Sequence, residues 1–233
     1  MKSDEPVYRH ELKYLITAAQ LPLLKSRVEQ IMQLDPHVGQ TGMYNIRSLY
    51  FDDYDNSCYY ENENGLDPRE KMRVRIYNHS PQRITLECKR KDHGKTLKTA
   101  CRLSVEQTER LLVGKVLEPW DDLTPLQRKL NLQMHTRFLR PVVLVEYDRI
   151  PYIYRNGNVR VTFDMNISSG SCIAGFLSGD VPKRPVLPAG QLLMEVKFDE
   201  YLPDFIYRSL NLGQLQQTAF SEYYLCRKYN LFK

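Results

Sequence analysis

One stretch, Arg69–Lys91 (REKMRVRIYNHSPQRITLECKRK), constrains the fold more than any other. It reads as two strands joined by a short turn at Asn78–Gln82. In the first strand Met72, Val74 and Ile76 share one face, and Lys71, Arg73, Arg75 and Tyr77 share the other. In the second, Ile84, Leu86 and Cys88 oppose Thr85, Glu87, Lys89 and Lys91. Successive side chains of a strand point to opposite faces, so each strand has an apolar side and a charged one. Alone, such a hairpin is a surface element with its charges in water. Recurrence of the pattern changes that reading.

The pattern recurs along the chain. Residues 7–16 alternate with Arg9, Glu11 and Lys13 on one side; Tyr44–Phe51 carries Arg47; Thr96–Leu103 carries Lys98 and Arg102. Leu139–Arg149 ends in Tyr147 and Arg149, Val159–Asp164 places Arg160, Thr162 and Asp164 together, and Gln191–Phe198 alternates Glu195 with Lys197. Helices are expected from Thr17, as N-cap, to about Met32; over Ser57–Glu63; from the Ser104/Gln107 capping box to about Val113; from Thr124–Pro125 to Met134; over Pro203–Leu210; and over Ser221–Tyr229. Residues 168–189, rich in Gly and Pro, read as an exposed loop. A flat sheet with one wet face satisfies this α+β count. So does a closed antiparallel β-barrel of about eight strands, with a charged lumen and helices jacketing its apolar outside. The mixture of Arg and Lys with Glu and Asp on the charged face, and helices punctuating the strands along the whole length, favour the barrel.

The 233 residues suit one such domain, 1–233, and the 16 tyrosines suit strands. The start lacks a secretory h-region and no run reaches a membrane span, so the expected location is cytoplasmic, without direct membrane insertion. Five cysteines without a CxxC read as reduced structural thiols.

A net charge of +5 mildly favours anionic partners, and its placement decides which. An inward face carrying Lys13, Arg47, Arg73, Arg75, Lys89, Lys98, Arg149, Arg160 and Lys197 needs compensation, because unpaired buried charge is strongly unfavourable. Glu11, Glu87, Asp164 and Glu195 supply part of it, and a polyanion in the lumen supplies the rest. Arg and Lys suit phosphate oxygens, and hard carboxylates suit phosphate-bound Mg²⁺ or Mn²⁺. Cations with a few acids fit phosphoryl transfer, in which the protein mainly positions phosphates and neutralises charge.

Other motifs fail. Gly94-Lys95-Thr96 resembles the end of a P-loop, but Lys89 stands where the upstream glycine is required. The five histidines contain no HxxxH pair, which argues against zinc. Ser221 has no evident histidine base and reads as a helix N-cap rather than a nucleophile.

Eight motifs in order carry a family resemblance: RHELKY at Arg9–Tyr14, RSLYFD at Arg47–Asp52, KMRVRIY at Lys71–Tyr77, ECK at Glu87–Lys89, VEYDR at Val145–Arg149, VRVTFD at Val159–Asp164, LMEVK at Leu193–Lys197 and FSEYY at Phe220–Tyr224. Together they resemble the polyphosphate polymerase domain of the vacuolar transporter chaperone (VTC) family, within the CYTH-like triphosphate tunnel metalloenzymes. The resemblance implies a tunnel barrel that moves the γ-phosphate of ATP onto a growing polyphosphate chain, releasing ADP, with Mn²⁺ or a similar ion. It implies Lys13, Arg73, Arg75, Lys89, Lys98, Arg149 and Arg160 as phosphate ligands, joined by Arg47 and Lys197, with Tyr147 on the wall, Ser221 near the last helix and Glu195 as metal ligand. Two positions depart from the pattern. Arg9 replaces the first acid of ExExK, and Glu222 follows Ser221 where the family commonly has Lys, placing a carboxylate that repels phosphate. No inositol-phosphate-sensing domain is evident, so coupling to transport calls for a separate membrane partner.

ATP and inorganic polyphosphate are the expected partners. A triphosphatase would use the same residues with water as acceptor, and a polyphosphate-binding module would use them without turnover. Nucleic-acid binding is disfavoured, since a nucleic-acid groove gains nothing from Glu11, Glu87 and Glu195 on one wall.

Overall fold

A computed structural model describes residues 8–231. Val7, where the sequence places the start of the first strand, lies outside the described residues. In chain order the elements are β1 (His10–Thr17), α1 (Leu21–Glu29), β2 (Gln33–Leu34), β3 (Tyr44–Asp52), α2 (Ser57–Glu63), β4 (Arg69–Tyr77), β5 (Ser80–Asp92), β6 (Lys95–Leu103), α3 (Val105–Leu112), α4 (Pro125–Thr136), β7 (Arg140–Tyr154), β8 (Val159–Gly170), β9 (Arg184–Pro185), β10 (Gln191–Phe198), α5 (Asp204–Ser209) and α6 (Glu222–Leu231). Eight strands pair in the order β1-β10-β8-β7-β3-β4-β5-β6, all antiparallel, and β2 and β9 attach to β7 and β8.

The hairpin β4–β5 forms in the register that alternation demands, with Met72 opposite Cys88 and Arg73 opposite Glu87. Its turn is tighter than expected. Asn78 and His79 both adopt positive φ, 50° and 54°, and together make the two-residue connection that matches strand twist. His93 and Gly94 do the same between β5 and β6, at 48° and 75°. The Asp67 carboxylate fixes this second turn by accepting both its backbone N–H groups at 3.0 Å.

The sheet curls. Its convex face is apolar: Met72, Val74, Ile76, Ile84 and Leu86 pack with Leu111 of α3 and Leu130 of α4. Tyr14, Ile16, Val161 and Val196 pack with Leu24 and Val28 of α1 and Ile206 of α5. Each fully buried side chain of this type contributes roughly 1.5–3 kcal/mol, so this burial sets the direction of curl. The concave face is divided. One part is apolar and filled by α6 and α2, through Tyr223, Cys226, Tyr59 and Cys58 against Ile46, Val145 and Leu193. The other part is charged.

The sheet is a curled half-barrel rather than the closed barrel expected. Edge strands β1 and β6 meet at one bridge, Arg9 with Thr96, whose two backbone hydrogen bonds are 2.9 Å. Beyond it the C-terminal segment takes over the free edge of β1: Gln217 bridges Tyr14, and the Thr218 N–H donates to the Lys13 carbonyl at 2.8 Å. Around Lys13 and Tyr14 the C-terminal segment thus stands where β6 would pair in a closed barrel.

Three other expectations shift. Thr17 ends β1 rather than capping α1; Gln20 takes the cap position, and a proline in the first turn suits the late start. Strands β7 and β8 outrun their expected ends, to Tyr154 and Gly170. The stretch 168–189 is not an exposed loop throughout, because Phe176, Val181 and Val186 are buried and β9 returns to pair with β8. The capping box at Ser104/Gln107, the helix start at Thr124–Pro125 and the helix Ser57–Glu63 form as read, and Thr124 with Gln127 adds a second capping box. No helix among the described residues is long and apolar enough to cross a membrane.

Candidate phosphate-chain site

Antiparallel pairing and an even side-chain period put Lys13 on β1, Arg73 and Arg75 on β4, Lys89 on β5, Lys98 on β6, Tyr147 and Arg149 on β7, Arg160 on β8, and Glu195 and Lys197 on β10 onto the concave face. Two layers result. The inner layer is packed with ion pairs. Arg149 chelates Asp164 through two 2.6 Å hydrogen bonds and stacks on the Tyr147 ring at 5.1 Å. Lys197 lies 2.7 Å from Glu195. Arg75 donates to the Ser48 hydroxyl at 3.0 Å and to the Tyr147 hydroxyl at 3.1 Å. Arg160 reaches the Tyr44 hydroxyl at 2.6 Å and Asp35 at 2.9 Å.

The outer layer borders a cavity of about 370 Å³ between β1, β4–β6 and the start of α6. Its walls include Glu11, Lys13, Lys71, Arg73, Lys89, Ser221 and Glu222. Arg73 is held by Glu87 at 2.7 Å and by the Tyr50 hydroxyl at 2.8 Å, while Lys98 takes the other Glu87 oxygen at 2.5 Å. Lys89 pairs with Glu11 at 2.6 Å. Lys13 is surrounded: its ammonium lies 3.0 Å from Glu222, 3.3 Å from Glu195 and 3.5 Å from Glu11. The Ser221 hydroxyl accepts from Lys71 at 3.2 Å and from the Tyr224 N–H at 3.3 Å. It therefore caps α6, as its sequence position implies, and has its own proton left to donate into the cavity.

Arg47 is the exception and is corrected here. It lies on the convex face, registered opposite Ile76 and Glu146 of the neighbouring strands, with no exposed surface. Its guanidinium pairs with Glu146 at 2.7 Å and donates to the carbonyls of Phe176, Ser178 and Gly179. Tyr44, Ile46, Ser48 and Tyr50 occupy the concave side of β3, so the even period sends Arg47 outward.

Residues 8–230 match the VTC domain over nearly the whole described chain. The chain belongs to the VTC-domain family. No curated protein sequence matches it. Among solved structures it is similar to an adenylyl cyclase-like protein from Hippeastrum described as having a dominant triphosphatase activity, at 11% identity and TM-score 0.53, covering 96% of each chain. Proteins assigned as adenylate cyclases from Vibrio parahaemolyticus (11% identity, TM-score 0.49, covering 95% of this chain and 98% of that one) and Bacillus halodurans (15%, 0.46, 88% of each) are also similar. At these identities the first likeness shows the fold alone.

In this VTC domain burial and neighbouring charge pull on the titratable groups in opposite directions. Burial opposes ionisation of Glu222, yet Lys13 and Lys89 outweigh it and hold the carboxyl down at about 2. Burial likewise works against Glu87 and Glu195, but Arg73, Arg75 and Lys98 lower the first well below the usual range, and Lys197 and Lys13 lower the second. Lys71 goes the other way. Burial first, then the neighbouring Arg69, pushes its ammonium down to about 7. Sequence reasoning placed Lys71 on the right face but left it out of the site; its parity with Arg73 was the available signal. The Glu222–Lys13 pair joins residues 209 positions apart and left no local signal.

Proposed function

We propose that this VTC domain binds a linear phosphate chain in the cavity and transfers phosphoryl groups, as a polyphosphate polymerase using ATP as donor. One observation carries the reading: Arg73, Lys89, Lys71 and the Ser221 hydroxyl converge on a single cavity, backed by a layer of cations already matched with acids. Convergent cations with a free hydroxyl recognise successive phosphate oxygens. Arg73 is preorganised by Glu87 and Tyr50, so its remaining N–H groups meet a phosphate without reorganisation. Lys89 and Lys13 neutralise charge that develops on the bridging oxygen as it leaves. Arg75, Arg149, Arg160, Lys98 and Lys197 support the wall and its potential from behind.

A divalent ion fits with a condition. Glu11, Glu195 and Glu222 present hard oxygens around Lys13, the donor type of Mg²⁺ and Mn²⁺. Among the described residues no three such side chains are disposed to hold a metal alone, so Glu195, which already faces Lys13, Lys197 and Arg149, would hold an ion only together with oxygens of a bound phosphate. When bound, the ion supplies charge neutralisation at the transferring phosphoryl group.

A second reading, hydrolysis of triphosphate or short polyphosphate, is favoured by Glu222, which already occupies Lys13 and so removes one ligand from a long chain. The likeness to the Hippeastrum protein leans the same way. Incubation with ATP, Mn²⁺ and a short polyphosphate primer separates the readings. Lengthening chains with ADP support the polymerase; free phosphate alone supports the hydrolase; binding without turnover overturns both. Glu195→Gln is expected to abolish metal-dependent turnover with the fold intact, and unchanged turnover removes Glu195 as metal ligand.

A further inference from the structure

Like charges face each other across β4 and β5. Arg69 is registered opposite Lys91, Lys71 opposite Lys89, and Lys89 opposite Lys98 on β6. Like charges directly opposite each other in a sheet are destabilising. Lys89 and Lys98 are relieved by Glu11 and Glu87. Arg69, Lys71 and Lys91 make no ion pair among the described residues. The Lys71 ammonium touches only neutral groups, the Asn62 carbonyl oxygen at 2.8 Å, the Ser221 hydroxyl, and the Tyr223 ring face at 4.9 Å. Arg69 donates to the Leu66 carbonyl at 2.7 Å. All three side chains border the cavity. Burial first, then the charge of Arg69, lowers both Lys71 and Lys91.

We propose that Arg69 and Lys91 form an outer phosphate subsite that takes the distal phosphates of a linear chain whose first phosphates rest on Arg73, Lys71 and Lys89. This rests on the reading of the cavity as a phosphate-chain site, and adds to it the direction of the chain. Residues two apart on a strand are about 6.6 Å apart, so the pairs 73/87, 71/89 and 69/91 make successive rungs leading to solvent. The opposite direction is occupied. Arg149 and Asp164 close on each other, Lys197 on Glu195, and Glu222 on Lys13. A chain that enters past Arg69 and Lys91 meets unpaired cations first and matched ones last.

The test compares pyrophosphate with a longer linear polyphosphate by calorimetric titration. The proteins are the wild-type chain and the double variant Arg69→Gln, Lys91→Gln. The variant is expected to lose at least about tenfold in affinity for the longer chain, equivalent to about 1.4 kcal/mol, while its pyrophosphate affinity stays within about twofold. Its melting temperature without anion should not fall, since repulsion has been removed. Equal losses for both ligands, or unchanged affinity for the longer chain, overturn the subsite while the cavity reading stands. If the wild-type protein binds neither ligand, the cavity reading fails and the subsite with it. Lys91→Gln alone, at the rung nearest solvent, should weaken the longer chain selectively; the absence of an effect from both it and the double variant overturns the proposal.

Discussion

A single arginine shows how much one strand position decides. Arg47 carries the residue type expected of a phosphate ligand and sits among strands that supply such ligands, yet it is fully buried on the convex face. Its charge is satisfied by Glu146 and by carbonyls of the segment around Phe176 and Ser178. It therefore ties that segment to the sheet. Arg47→Ala is expected to lose roughly 1–3 kcal/mol, the effect of leaving the buried carbonyls of Phe176, Ser178 and Gly179 without their donor, since Lys183 still neutralises Glu146. Denaturant unfolding checks this, and a loss below about 1 kcal/mol would contradict the tie. Ser221 has the reverse history: a cap by sequence position, it also aims its remaining proton at the cavity.

Among the elements, α6 links fold and site. Its apolar side, through Tyr223 and Cys226, fills the concave face, while its first turn delivers Ser221 and Glu222 to the cavity wall. Its start is fixed by the Ser221 hydroxyl on the Tyr224 N–H. Ser221→Ala should lower stability by about 1 kcal/mol, the typical value of a lost N-cap, and so lower the melting temperature by about 2–4 °C for a chain of this size. An unchanged melting temperature would show that α6 is held by packing alone. The hairpin β4–β5 was legible almost entirely from its sequence, because a two-residue turn and strict alternation leave one register that buries Val74 and Leu86. The stretch 168–189 was not, because the burial of Phe176 depends on a strand distant in sequence.

For the whole molecule, the concave charge network links stability to pH. Glu87, Glu195 and Glu222 all have lowered pKa values in the folded state, Glu222 at about 2. Groups with depressed values stabilise the fold above their unfolded value of about 4.3 and lose that contribution as pH falls through the folded value. The urea midpoint should therefore drop steeply between about pH 4.5 and pH 2. Glu222→Gln should flatten part of that drop by removing one titrating partner of Lys13. An equally steep fall in the variant would place the acid sensitivity elsewhere.

The sequence alone determined which side chains share a face, because a strand's period of two is written in the order of residues. From that followed the apolar convex packing, the charged face and its suitability for phosphate. How far the sheet closes, where its two edges meet, and what lies opposite Lys13 depend on contacts between residues up to 209 positions apart. Alternation carries no information about such pairings. The curl, the C-terminal segment seated along β1 and the carboxylate of Glu222 on Lys13 were therefore decided only by the tertiary structure, where burial of the convex face fixes the curvature and unsatisfied backbone and charge find their partners.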